Sequence, residues 1–148
     1  MTKREKLLAK AREVALKAHC PYSHNRVGSA LIAGGKIFTG VNVEISSYGH
    51  TLCAERSAIA AAISDGAGPI TEIAVACIDV PVGDSINKRA PCRTCRQWIA
   101  DLAPEAIVYI EGAQEEFYVS SHEWLKSCSR NAFQLEEASL SLWTVELK

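Results

Sequence analysis

A chain of 148 residues has the length of one compact domain with one hydrophobic core. Its 48% apolar and 22% charged residues exclude an intrinsically disordered protein. Sixteen Lys+Arg against seventeen Asp+Glu leave a formal charge of -1, which argues against binding that rests on neutralising nucleic-acid phosphates. No apolar run approaches the ~18 residues that cross a bilayer, so neither nucleic acid nor membrane is an expected partner.

The opening Met1 to Lys6 is charged and leads into an amphipathic pattern, so the chain is expected to stay in the cytoplasm. Thr2 and Glu5 have capping-box spacing, and Leu7, Leu8, Ala11, Val14, Ala15 and Ala18 recur at helical intervals, which predicts a first helix through about His19. Its basic run is read as a solvated face. Cys20 to Asn25 reads as a loop around Pro21. Extended runs at 26–33 and 36–43, joined by Gly34-Gly35, predict an antiparallel hairpin. A polar loop through His50 leads to an Ala-rich helix from Cys53 to Ser64, stopped by Gly66, Gly68 and Pro69.

The apolar run 70–78 predicts a buried strand, and the polar stretch 79–90 is long enough to be a lid or binding loop. Pro91 is expected to open a third helix that runs to Leu102. Strands are expected at 106–110 and, more weakly, at 116–120, then a short helix at 121–126. Strands alternating with helices after a hairpin point to a mixed sheet covered on both faces, a three-layer α/β/α sandwich forming a single domain over 1–148.

The chemistry concentrates in Cys53-Ala54-Glu55 and Pro91-Cys92-Arg93-Thr94-Cys95, each at a helix start. Free amides and the helix dipole there favour anions, so these thiols should ionise easily and bind Zn2+ as thiolates. Cys92 and Cys95 lie one turn apart and Cys53 supplies a third sulfur, which leaves one position of a tetrahedral site for water. Glu55, two residues after a ligand, is the general acid/base candidate, and Arg56 is expected to hydrogen-bond a ligand sulfur.

With these motifs, Pro21-Tyr22-Ser23, Val27-Gly28, Gly40 to Glu44, Tyr48-Gly49, Cys53 to Arg56 and Cys92 to Gln97, the chain resembles the small zinc-dependent cytidine deaminases over roughly residues 5 to 125. The resemblance implies a five-stranded mixed sheet and hydrolytic deamination of cytidine or deoxycytidine to the uridine form plus ammonia. Glu55 would then move protons at the cytosine ring, Asn42 and Glu44 would hold the ribose hydroxyl, and Asn25 and Ala54 would line the substrate site. It also implies a place in pyrimidine salvage and a homo-oligomer, usually a tetramer, with a dimer as the other option.

Two departures bear on substrate. Asn25 stands where the family usually has a Phe against the pyrimidine, a stacking contact worth ~1 to 3 kcal/mol. Arg93 replaces the usual Gly between the paired cysteines, which is expected to bring a cation beside the zinc or the pocket rim. The chain also departs from the family's C-terminal segment at Trp124 to Cys128, with Phe133 as a displaced aromatic. Two alternatives stand beside this reading: a deaminase of a modified or antibiotic cytosine nucleoside such as blasticidin S, and a noncatalytic zinc-stapled module with His50 as fourth ligand. Cys20, Cys77 and Cys128 are read as packing thiols, and His24 and His122 as solvent-facing or turn-capping residues.

Overall fold

A computed structural model describes residues 1–81, 83–114 and 116–118 of the chain. Helices α1 (Lys3–Ala15), α2 (Ala54–Ser64) and α3 (Arg93–Leu102) pack on a sheet of β1 (Val27–Ala33), β2 (Lys36–Val41), β3 (Ile70–Cys77), β4 (Ile107–Ile110) and β5 (Phe117–Tyr118). The strand order is β2-β1-β3-β4-β5. Only β3 and β4 are parallel, and α3 is the connection between them. The expected mixed sheet is therefore present.

Strand alternation sorts the core into two layers. On one face Leu7 and Ala11 of α1 meet Ala30, Ala74, Ala76 and Tyr109. On the other, Leu31, Ile73, Val75, Cys77, Val108 and Ile110 meet Ala58, Ile59 and Ala62 of α2 and Ile99 of α3. Burying each large aliphatic side chain contributes roughly 1.5–3 kcal/mol. This packing holds α2, whose 11 residues are fewer than the ~12–15 that an isolated helix needs. Its buried stripe, Ala54, Glu55, Ala58, Ile59 and Ala62, places an acid in line with core residues.

Several boundaries differ from the periodicity. The first helix stops at Ala15 because the His19 amide donates to the Asn42 carbonyl and the His19 carbonyl accepts from the Glu44 amide. These bonds extend the chain where apolar spacing alone would continue the helix. Likewise β2 ends at Val41 because Val43 exchanges backbone bonds with Leu52. Cys53 and Cys92 are N-caps of α2 and α3, so Pro91 precedes the third helix and does not open it. The loop after β3 contains a single 3-10 turn, Ile86–Lys88, capped by Ser85. The predicted helix at 121–126, Phe133, and the readings of Trp124, Cys128 and His122 lie outside the described residues.

Two glycines let the helices lie directly on the sheet. A β-carbon at Gly28 would press on the Ala11 carbonyl and sit 2.7 Å from the Ala15 nitrogen. At Gly40 it would lie 2.5 Å from the Ala54 carbonyl oxygen, in the first turn of α2. Because both neighbours are backbone, neither can yield. We expect Gly40→Ala to lower stability by about 1–3 kcal/mol in urea unfolding. Gly49→Ala, where nothing lies within 4 Å, should stay within ~0.5 kcal/mol of the parent.

Candidate active site

Both helix starts deliver their cysteines to one point. Cys53 and Cys92 Sγ are 3.7 Å apart, Cys92 and Cys95 Sγ are 3.4 Å apart, and the three sulfurs lie within 4.8 Å of one another. Four ligands at ~2.3 Å around tetrahedral zinc are separated by about 3.8 Å, so this trio fits such an ion. Cys95 is buried in line with Ile99, Cys53 is half-buried and Cys92 is exposed. The ligand set is thus anchored in the core on one side and open on the other.

The expectation of easy ionisation holds for Cys92 alone. Hydrogen bonds from Cys53 and Cys95, then from the Cys95 and Thr94 amides, hold its thiol far below the ordinary range. Cys53 is raised by donating to Cys92, and Cys95 by hydrogen bonds to Cys53 and Cys92. Neighbouring like charges oppose each other, so the three sulfurs can ionise together only around a cation. Arg56 helps on one side, with Nη2 donating to Cys53 Sγ at 3.3 Å and to the Thr51 carbonyl at 2.8 Å.

Glu55 is only 4% exposed, and Cys95 Sγ donates to its Oε2 at 3.6 Å. Burial raises its pKa above the ordinary carboxylate value. Its carboxyl opens on a cleft of about 260 Å3 that Ala54, Asn25, Asn42, Glu44, Cys53 and Cys92 also line. Asn42 is tied to the chain, accepting from the Val27 amide at 2.9 Å and donating to the Asn25 carbonyl at 2.8 Å. Glu44 accepts from the Tyr22 and Ser23 amides at 3.1 and 3.0 Å and from the Ser23 hydroxyl. Burial disfavours its charge, but these donors outweigh burial and keep its pKa below the usual value.

The structure thus brings together every residue singled out around the metal and the cleft. Arg93 is the exception, being exposed and absent from the cleft wall. The cations that do line it are Lys88 and Arg89, from the loop after β3. His50 does not complete a closed cage: it is exposed, its Nδ1 lies 2.8 Å from Ser47 Oγ, and among the described residues the metal-capable group is the three cysteines. His24 is exposed, in the left-handed region with φ 58.

Sequence reasoning missed Cys77 and Thr51, whereas the stretch 79–90 expected as a lid or binding loop does supply Lys88 and Arg89 to the cleft wall. Cys77 continues the Ile73-Val75 alternation to the carboxyl end of β3, where α/β proteins bind ligands. That position could have marked it as a cleft residue. It remains an unreactive core thiol as well, pushed up to about 12 by burial. The Thr51 hydroxyl is buried with no partner among the described residues.

The family model for the cytidine and deoxycytidylate deaminase zinc-binding region matches residues 1–111. The chain belongs to that family. A probable cytidine deaminase from Dictyostelium discoideum is 41% identical over 124 residues, 82% of this chain and 80% of its own length. The crystal structure of cytidine deaminase from Burkholderia pseudomallei superposes with a TM-score of 0.69 at 35% identity, covering 81% of this chain and 94% of that one. A blasticidin-S deaminase from Bacillus cereus is more distant, at 33% identity over 97 residues, 61% of this chain and 68% of its own. As a cytidine deaminase-family member the chain is a hydrolase of a carbon–nitrogen bond with zinc as its metal, and the sulfur trio suits that metal. The noncatalytic module reading is set aside.

In this deaminase fold Ser23 sets the charge of Glu44. We expect Ser23→Ala to raise the Glu44 pKa toward ordinary values and to lower stability by about 1–2 kcal/mol at pH 7. A carboxylate with a depressed folded pKa stabilises above its unfolded value, about 4.3, and that contribution fades as pH falls through the folded value. Urea unfolding of variant and parent should therefore differ most at pH 7, with the difference shrinking as pH falls below about 4.3.

Proposed function

We propose that this chain deaminates the cytosine ring of a nucleoside, adding water at C4 and releasing ammonia, so that cytidine or deoxycytidine becomes uridine or deoxyuridine. The observation that carries the reading is the buried Glu55 carboxyl placed between three convergent sulfurs and an open cleft. Cys53, Cys92 and Cys95 would hold the zinc. When bound, zinc supplies a water that ionises near neutrality.

Glu55 does the proton work. Its raised pKa suits a carboxyl that takes a proton from water and gives it to ring N3, then takes the remaining proton of the added C4 hydroxyl and passes it to the departing amino group. Three thiolates donate much negative charge to a metal, and Arg56 offsets part of it through Cys53. Asn42 and Glu44, fixed by backbone and Ser23 bonds, present their remaining hydrogen-bonding capacity to the sugar. Ala54 and Asn25 line the space for the base.

We read the 148 residues as one domain working in the cytoplasm in pyrimidine salvage. Among the described residues no helix is long and apolar enough to cross a membrane. We also propose a homo-oligomer, a tetramer before a dimer, because the apolar side chains Leu16, Ile37 and Ile63 are each more than half exposed. The blasticidin S-type alternative is kept second by the greater distance of that relative.

Replacing Glu55 with Gln should leave zinc content and the unfolding midpoint unchanged while cytidine-dependent ammonia release falls by about 10²–10⁴. Undiminished turnover would overturn the assignment. Asn25→Phe restores a stacking ring beside the pyrimidine and should lower KM for cytidine on the order of tenfold, read from initial rates.

A further inference from the structure

Behind the catalytic cleft lies a buried cation that the proposed chemistry does not use. Arg89 is 8% exposed and lines the cleft that holds Glu55 and Cys92. Nη1 donates to the Glu111 carbonyl at 2.9 Å and Nη2 to the Asp84 carbonyl at 2.6 Å, both neutral acceptors. Nε is buried without a partner among the described residues. The nearby carboxylates form salt bridges elsewhere, Asp84 with Lys88 at 3.0 Å and Glu111 with Arg12, so among the described residues Arg89 makes no salt bridge, although Asp84 lies close enough to feel its charge.

The guanidinium is also held still. Its two carbonyl acceptors come from separate loops, and the guanidinium lies against Gly112, whose φ of +82 favours glycine there. A second cavity of about 140 Å3 shares Cys77 and Arg89 with the cleft, so these two side chains form the wall between them. Lys88 adds a second positive charge to the same cleft, although Asp84 already engages it.

A buried charge held only by neutral acceptors is costly, and it persists most readily where a ligand brings the opposite charge. We propose that Arg89 is a specificity-determining residue that selects cytosine nucleosides carrying an anionic oxygen group, a carboxylate or a phosphate. This rests on the deaminase reading above. It moves the expected cation from Arg93 to a side chain that does line the cleft. Its fixed position makes the site a preorganised one, with little ordering cost on binding.

The test uses zinc-loaded Glu55→Gln protein, in which binding is separated from turnover. Calorimetry compares cytidine, cytidine 5′-phosphate and 5-carboxycytidine at low salt; the two anions distinguish a group on the sugar from one on the ring. At least one should bind tenfold or more tightly than cytidine. That preference should fall to twofold or less with Arg89→Met, return in part with Arg89→Lys, and shrink as chloride rises.

Equal binding of all three ligands, or a preference that survives Arg89→Met, overturns the proposal. Should Arg89→Met fail to fold, the salt series and Arg89→Lys decide: a salt-insensitive preference that Lys leaves untouched overturns it. Ammonia release from cytidine by the parent enzyme, with no anionic preference, sinks this inference alone. No ammonia from any of the three removes the deaminase reading beneath it.

Discussion

Everything at the site follows from one electrostatic constraint, the convergence of three sulfurs at the amino ends of two helices. Separately, each helix end favours a thiolate through free amides and the dipole. Together the three compete, because neighbouring thiolates repel one another: Cys92 is held low while Cys53 and Cys95 are pushed up. Such a trio is a poor arrangement for isolated thiols and a good one for a soft dication. The positive charge removes the repulsion, and core packing of Cys95 keeps the sulfurs from spreading apart.

That convergence depends on how closely α2 lies on the sheet. Gly40 removes the side chain that would otherwise lift the first turn of α2, where Ala54 and Glu55 sit. The same helix buries Ala58, Ile59 and Ala62, so the stripe that holds the helix down also carries the carboxyl into the cleft. Burial has two effects on Glu55: it raises the pKa, and it fixes the side chain against the sulfur it approaches. Packing and catalysis are therefore not independent here, because loosening the helix would both expose the acid and separate Cys53 from its partners.

Much of this was legible from residue patterns, and the legible parts share a cause. Helix starts, hairpin and buried strands depend on interactions within a few residues, which capping, Gly-Gly and alternation report directly. The sulfur trio was legible because thiolate chemistry leaves few other uses for Cys-x-Glu and Cys-x-x-Cys in one chain. What was missed depends on contacts far apart in the chain. His19 ends its helix only because Asn42 and Glu44 come to meet it, and Arg89 becomes a buried cation only because Glu111 and Gly112 close over it. Arg93 shows the opposite failure: adjacency to a ligand placed it at the site on paper, while the turn of α3 directs it to solvent.

The division between helix ends and loops also separates two kinds of evolutionary freedom. Metal ligands and the acid sit on helix termini pinned by the core, where a small displacement would disturb the sulfur spacing. The residues that would discriminate among substrates, Asn25, Lys88 and Arg89, come from the segments before β1 and after β3. Loops can exchange side chains without moving the scaffold. An unusual choice there, a small amide where a ring is usual and an arginine in a buried wall, therefore changes what the cleft admits while leaving the reaction it performs intact. On the proposed assignment the three sulfurs and Glu55 would carry the reaction, and Arg89, which makes no salt bridge among the described residues, would give this chain its own substrate preference.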